Sequence, residues 1–246
     1  MSTIYLNPSI QSRSDPGSEE EQHLLNQIAD AMAPFLRVNG IKYVRSKFRS
    51  AEAQVIRESN SEYYDLHLTL HLNASPVNLA GRLMGTDIFY FTYGSRAKRA
   101  AEVFADNFKL IYHNPTLVKA VPTTQIAEIT KTKAPAILME IAYYDNREDL
   151  AWLESNIDAI ALNLVESLTR YFGVPFIGSR MPEEHGVVKT ESGRMNLYRQ
   201  PDAGMDILAK VPNNALVVLV GKWNDWYVAE YNGVMGYALA KYITVK

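Results

Sequence analysis

The first 173 residues alternate between short apolar runs with strand character and longer segments whose apolar residues recur at helical spacing. Strands are predicted at 3–7, 41–45, 64–72, 85–93, 125–129 and 135–141. Helices are predicted at 18–40, 51–59, 95–112 and 146–173. This order indicates the α/β class, with a mixed, mostly parallel sheet flanked by helices on both faces.

The chain changes character after residue 176. Residues 177–185 are rich in Gly, Pro and charge and are predicted to be a linker. Residues 186–246 contain short β-like runs separated by turn residues, including the hairpin signal Tyr-Asn-Gly at 231–233. We therefore predict an α/β domain at 1–176 and a small all-β, SH3-like barrel at 186–246.

Composition limits what the chain can do. A hydrophobic fraction of 47% and a charged fraction of 21% fit a globular protein. A net charge of -2 and a pI near 6.2 give no electrostatic basis for binding nucleic acid.

No apolar window is long enough for a membrane span, and no secretory signal is recognisable, so synthesis in the cytoplasm is expected. Without cysteine, any metal site must use His, carboxylate or amide oxygen.

An acid stands inside an apolar strand-like segment, PAILMEIAYYDN at 135–146. Burying a carboxylate is costly unless it is paired, protonated or bound to a metal. Glu140 is therefore a candidate general acid/base with a pKa raised by apolar surroundings. A salt-bridged or exposed acid at the strand terminus is the structural alternative.

A second segment, DLHLTLHLNA at 65–74, places His67, Thr69, His71 and Asn73 on one strand face. Two histidines four residues apart on a strand are about 13 Å apart, so they cannot share one ion. His71 is the favoured metal ligand because α/β sheets place their sites at the carboxyl ends of strands. Asn73 is a candidate substrate-binding residue. A simple hydrogen-bonded histidine is the alternative for His71.

Glu21 lies at the start of the first predicted helix, in the sequence SEEE. Ser18 and Glu21 match a capping box, which is the structural interpretation. With Glu21 and His71 as ligands and Glu140 as the base, these residues would make most of a catalytic zinc hydrolase site. Such a site needs three protein ligands and an open position for water.

These segments resemble the zinc-dependent N-acetylmuramoyl-L-alanine amidases. Residues 65–74 resemble that family's D-L-x-I-S-I-H-x-N-A segment, and residues 134–153 resemble its P-A-V-L-V-E-x-x-F-x-x-N-x-x-D-x-x-x-L segment. Glu21 falls where the family's first helix, E-x-x-x-x-x-x-I-A, carries a zinc ligand. The resemblance implies Glu21 and His71 as Zn²⁺ ligands, Glu140 as the catalytic acid/base, and peptidoglycan as substrate, cut between muramic acid and L-Ala.

The first loop departs from the family pattern. The family reads D-P-G-H-G-G after its first strand, whereas residues 7–12 read NPSIQS, so Ile10 or Gln11 stands where the first His belongs. Isoleucine cannot bind zinc, and a glutamine oxygen binds it weakly, so either the metal affinity should fall or another group must help. Gln11 is the candidate third ligand in this loop. Similar L-x-P-S-x-Q sequences occur in a divergent branch of the family.

The C-terminal segment resembles bacterial SH3 (SH3b) domains. GRMNLYRQPDAG, starting at Gly193, resembles the SH3b opening, and the run from Gly221 to Ile243 resembles its close. Wall hydrolases often carry such domains, which implies a wall-binding module. Its aromatic residues are candidates either for a binding surface or for core packing: Trp226, Tyr227, Tyr231 and Tyr237.

Three functional hypotheses follow. The first is a zinc-dependent muramoyl-alanine amidase with an SH3b wall-targeting domain, acting on the wall after lysis or non-classical release. The second is an inactive peptidoglycan-binding protein that has lost its metal along with the first His. The third is a peptidase of the same architecture, because the motifs locate the activated water rather than the scissile bond.

Overall fold

The computed structural model describes residues 1–9, 18–47 and 50–246. They form two compact units. One comprises Thr3–Met32 and Tyr43–Tyr171, and the other comprises Met1–Ser2, Ala33–Lys42 and Phe172–Lys246. Within these described ranges, no helix combines the length and apolar character needed to cross a bilayer.

A six-stranded sheet organises the first unit. Its strands are β1 (Thr3–Pro8), β2 (Lys42–Arg45), β3 (Leu66–Asn73), β4 (Thr86–Phe91), β5 (Val118–Thr123) and β6 (Ala136–Tyr143). They lie in the order β2-β1-β3-β6-β4-β5. Strand β3 runs parallel to β1 and β6, β4 runs parallel to β5, and β4 is antiparallel to β6. The predicted mixed, mostly parallel sheet is therefore confirmed.

The two central strands explain the apolar character of their sequences. Strands β3 and β6 are buried at seven of their eight positions, as expected where both faces of a sheet are covered. The sheet is flanked by the α-helices α1 (Ser18–Val38), α2 (Glu52–Ser59), α3 (Ser95–Phe108), α4 (Ala127–Thr130), α5 (Arg147–Ser155) and α6 (Ile157–Phe172). The part of helix α1 that belongs to this unit buries an apolar stripe formed by Leu25, Ile28 and Met32.

One predicted strand is wrong. Residues 125–129 do not form a strand; they lead into the one-turn helix α4, and the strand lies earlier, at β5. Pro122 and the charged Lys119 weaken the strand signal of β5. Proline is nevertheless tolerated there because β5 is the edge strand of the sheet.

The predicted closing helix at 146–173 is two helices. Asn156 lies between α5 and α6 with φ -127° and ψ 20°, which is not helical. Its carbonyl accepts a hydrogen bond from the N–H of Ile160, so it also begins α6. The apolar spacing continues across this break, which is why periodicity alone does not reveal it.

The second unit contains an antiparallel sheet of seven strands. They are β7 (Glu184–Val188), β8 (Arg194–Tyr198), β9 (Ile207–Pro212), β10 (Leu216–Trp223), β11 (Trp226–Tyr231), β12 (Val234–Leu239) and β13 (Ile243–Val245). The order is β13-β7-β10-β11-β12-β8-β9, and every adjacent pair is antiparallel. Asn232 and Gly233 have φ of 49° and 76° in the turn between β11 and β12, which confirms the predicted hairpin. The segment is all-β as predicted, and the SH3-like barrel remains a prediction.

Asn146 links β6 to α5. Its side chain accepts hydrogen bonds from the N–H groups of Glu148 at 3.0 Å and Asp149 at 3.1 Å, which is an N-cap. Asp149 is fully buried, and its carboxylate accepts the N–H of Tyr143 at 2.9 Å. The cap therefore holds the helix start against the end of the strand that carries Glu140.

We expect Asn146→Ala to lower the free energy of unfolding by about 1–2 kcal/mol, because the first turn of α5 loses its side-chain acceptor. Chemical denaturation measures this change. Asn78→Ala is the control, because Asn78 is exposed and receives no side-chain hydrogen bond from the described residues. Equal effects of the two substitutions would contradict the capping role.

Candidate active site

Three parallel strands bring Ser9, His71 and Glu140 to one region of the sheet. In register, Pro8 of β1 lies opposite Leu70 of β3, and His71 lies opposite Glu140 of β6. A pocket of about 320 Å³ opens there. The described residues lining it are Asn7, Ser9, Ser50, Glu52, Val55, His71, Ile126, Glu128, Leu138 and Glu140.

The start of α1 is fixed to the ends of two of these strands. Gln22 donates its side-chain N–H to the carbonyl of Pro8 at 2.8 Å. Glu21 accepts the backbone N–H of Leu72 at 3.1 Å and is itself buried. Glu21 is therefore held beside the residue that follows His71, whereas His23, two residues on, is exposed.

His71 is a neutral, buried imidazole. Its side chain is 8% exposed, and Nε2 lies 2.7 Å from the hydroxyl of Ser9. Nδ1 is buried and has no hydrogen-bond partner within the described residues. Burial lowers the pKa of His71 to about 4, an effect that the negative charge of Glu128 only partly opposes. The ring is therefore uncharged at neutral pH, which is the form that binds metals.

Glu140 lies in the middle of a row of polar residues across three strands. It is 9% exposed, with His71 opposite it on β3 and Asp87 opposite it on β4. Leu138, two residues earlier, lines the same pocket. Glu140 is on a central strand, as predicted, and it is buried rather than exposed, while its catalytic role stays a prediction.

A second buried carboxylate, Glu128, lies in the same pocket. It is 4% exposed. Its Oε1 accepts hydrogen bonds from Asn7 Nδ2, at 2.7 Å, and from the hydroxyl of Thr69. The same oxygen lies 2.7 Å from Nε2 of His67. Burial raises the pKa of Glu128, but the hydrogen bonds from His67 and Thr69 outweigh burial and hold the pKa below its ordinary value. Glu128 is therefore ionised at neutral pH.

His67 belongs to this network rather than to an open site. Its Nδ1 lies 2.8 Å from the hydroxyl of Ser59, and its ring stacks on Tyr5 with 5.1 Å between ring centroids. Both ring nitrogens are thus engaged inside the protein. His67 therefore has a structural, hydrogen-bonded role. This is consistent with the prediction that His71, and not His67, is the candidate metal ligand.

The pocket is electrostatically suited to a cation. Glu52, Glu128 and Glu140 are among the described residues that line it, and no Lys or Arg is. A neutral imidazole adds a nitrogen ligand without adding positive charge. Carboxylate and imidazole together are the donors that zinc prefers.

The residues fit a zinc ion in part. Two observations favour zinc binding. His71 is neutral, and its Nδ1 has no partner among the described residues. The side chain of Glu21 is buried and accepts the N–H of Leu72, the residue that follows His71. The third expected ligand, Gln11, lies outside the described residues, as does Ile10. Within the residues that are described, no three acidic or histidine side chains form a group that could hold a metal ion. Of the three expected ligands, His71 lines the pocket as a neutral imidazole, whereas Glu21 is buried but is not among the described residues that line the pocket.

The candidate substrate-binding residue Asn73 makes a local hydrogen bond. It lies at the end of β3, and its side-chain oxygen accepts the N–H of Ala74 at 2.8 Å. Asn73 is not among the described residues that line the pocket. Its role in substrate binding stays a prediction.

Sequence reasoning missed Ser9, Asn7 and Glu128. The signal for Glu128 was available, since this acid stands among apolar residues in QIAEI just as Glu140 does in PAILMEI. Glu128 falls within the predicted strand at 125–129. Ser9 and Asn7 carry no such signal, because polar residues at the end of a strand are ordinary.

The fold and site define an α/β protein with an acidic, histidine-containing pocket near the carboxyl ends of its parallel strands. The model of the family described as "N-acetylmuramoyl-L-alanine amidase" matches residues 7–170. The chain belongs to this family.

Solved structures support the fold. The catalytic domain of an endolysin targeting Clostridia difficile aligns with a TM-score of 0.58 at 21% identity, covering 69% of this chain and 98% of that one. The catalytic domain of CwlV, an amidase from Bacillus (Paenibacillus) polymyxa var. colistinus, gives 0.59 at 18%, covering 70% and 99%. The amidase AmiC2 of Nostoc punctiforme gives 0.59 at 16%, covering 70% and 97%. No curated protein sequence matches significantly.

We expect Thr69→Val to destabilise the protein by about 1–2 kcal/mol, because Glu128 loses one of its donors in a buried site while the side-chain volume is kept. Urea denaturation measures the loss. Thr92→Val is the matched control, since Thr92 is exposed and its hydroxyl has no partner among the described residues. A stability equal to that of the control would show that Glu128 does not depend on Thr69.

Proposed function

We propose that the chain is a peptidoglycan hydrolase that cleaves the amide bond between N-acetylmuramic acid and L-alanine. The observation that carries this proposal is the register of β3 against β6, which places His71 opposite Glu140 at a pocket lined by acids. Membership of the amidase family supplies the bond that this site would cut.

We propose that Glu21 and His71 hold a zinc ion, with Gln11 as third ligand. Both described ligands are buried and fixed by neighbouring groups, Glu21 by the N–H of Leu72 and His71 by Ser9. Such preorganisation reduces the entropic cost of binding the ion. When bound, zinc supplies Lewis-acid activation of a water molecule and of the amide carbonyl.

Glu140 is the proposed general acid/base. As a base it accepts a proton from the attacking water, and as an acid it returns that proton to the nitrogen of the departing L-alanine. His71 and Glu140 are opposite each other in register and line the same pocket, which supports this role for Glu140. Asn73 at the end of β3 is the proposed contact for the substrate beyond the pocket.

We further propose that residues 186–246 form an SH3b domain that binds the cell wall, after the α/β domain at 1–176 and a linker at 177–185. The antiparallel sheet and its hairpin at 231–234 are compatible with such a barrel. Both parts of the chain would then contact peptidoglycan, one as substrate and one as anchor.

A second candidate is an inactive wall-binding protein. It is favoured by one observation: Ile10 or Gln11 stands where the family's first His belongs. In this case the pocket would bind the peptide without cutting it.

We expect Glu140→Gln to lower kcat by roughly 10²–10⁴-fold, the usual contribution of a general acid/base, while leaving the zinc content unchanged. The assay is release of free L-alanine amino groups from purified peptidoglycan, with zinc measured on the same protein. Glu154→Gln, an exposed acid on α5, is the control and should keep full activity. Undiminished turnover by Glu140→Gln would remove this residue from the mechanism.

The wild-type protein in the same assay separates the two candidates. Zinc content near one ion per chain with amino-group release supports the amidase. Absence of zinc and of release, together with retention on purified cell walls, supports the binding protein. Release of amino groups other than that of L-alanine would identify a peptidase instead.

A further inference from the structure

The buried carboxylate of Glu128 has no part in the proposed reaction, yet it is connected to the proposed ligand His71. Asn7 uses one amide group for two contacts: its Nδ2 donates to Glu128 Oε1 at 2.7 Å and to the Ser9 hydroxyl at 3.1 Å. The Ser9 hydroxyl in turn lies 2.7 Å from Nε2 of His71. Three hydrogen bonds therefore connect Glu128 to the imidazole.

Glu128, at one end of this series of hydrogen bonds, is held by further contacts. Glu128 Oε1 also contacts His67 and Thr69, both fully buried on β3. Asn7 and Ser9 lie at the end of β1, which pairs with β3. A carboxylate with this many partners restricts the orientation of each donor, because turning a donor away would remove a hydrogen bond from a buried charged oxygen.

The charge of Glu128 determines how Asn7 is oriented. An ionised carboxylate is an acceptor only, so Asn7 must present its NH₂ group to it, and the same group then donates to Ser9. Asn7 Oδ1 is left buried with no partner among the described residues. A neutral amide in place of the carboxylate would remove this constraint, because it can present either an acceptor or a donor to Asn7.

We propose that Glu128 is a positioning residue, which acts through Asn7 and Ser9 to fix the ring orientation and tautomer of His71. This inference rests on the proposed function in so far as it treats His71 as a zinc ligand. Groups that orient a metal-binding histidine typically change metal affinity by 10- to 100-fold when they are altered.

The test uses the full chain and the substitution Glu128→Gln, which keeps the size and the acceptor oxygen of the side chain. The first readout is the long-range ¹H–¹⁵N spectrum of the imidazoles in metal-free protein, with His71 assigned through His71→Gln. The second is zinc affinity by competition with a chelator. Glu52→Gln is the matched control, because Glu52 lines the same pocket but is exposed and outside the hydrogen-bonded chain.

We expect Glu128→Gln to shift the His71 ring-nitrogen signals and to weaken zinc binding at least 10-fold, whereas Glu52→Gln changes the affinity by less than 3-fold and leaves the signals in place. Ser9→Ala, which interrupts the chain next to His71, should shift the same signals. Unchanged His71 signals in Glu128→Gln would overturn the proposal. So would equal loss of affinity in both glutamate variants, because pocket charge alone would then explain it.

Failure of the proposed function gives a different result. If the wild-type protein binds no zinc while Glu128→Gln and Ser9→Ala still shift the His71 signals, the positioning role of Glu128 is supported and the zinc site is not. If Glu128→Gln does not fold, Asn7→Ala decides, because it removes the link between Glu128 and Ser9 and keeps the contact of Ser9 with His71. A shift of the His71 signals then supports the proposal, and unchanged signals contradict it.

Discussion

The parallel pairing of β3 with β6 is the constraint on which the candidate site depends. Both strands are buried at seven of eight positions, so their register is fixed by side chains on both faces. A slip of one residue would move every side chain to the opposite face. In the observed register His71 lies opposite Glu140, and the acid that is costly to bury lies beside the imidazole that can hold a cation.

The polar residues of the pocket are arranged so that their charges add up to a negative site. Burial keeps His71 neutral, while hydrogen bonds keep Glu128 ionised. A group that carries positive charge is therefore stabilised in the pocket, whether it is a metal ion or part of a ligand. The unpartnered Nδ1 of His71 is the nitrogen that such a cation would satisfy.

The sequence predicted the features that depend on local pattern. The α/β order, the central strands, the hairpin at 231–233 and the burial of Glu140 follow from apolar spacing and from the cost of burying an acid. Strand β5 was missed because an edge strand tolerates Pro122 and a lysine, which obscures its pattern. The partnership of Glu128 with His67, Thr69 and Asn7 could not be predicted, because it joins residues up to 121 positions apart through a single buried oxygen.

The central claim is that a zinc ion binds at His71 and Glu21. The most direct test is a crystal of the full chain grown with excess zinc and measured on both sides of the zinc absorption edge. The account predicts one anomalous peak about 2.0–2.2 Å from a ring nitrogen of His71 and from a carboxylate oxygen of Glu21. A map with no peak at these residues, from protein whose His71 and Glu21 side chains are well ordered, would contradict the account.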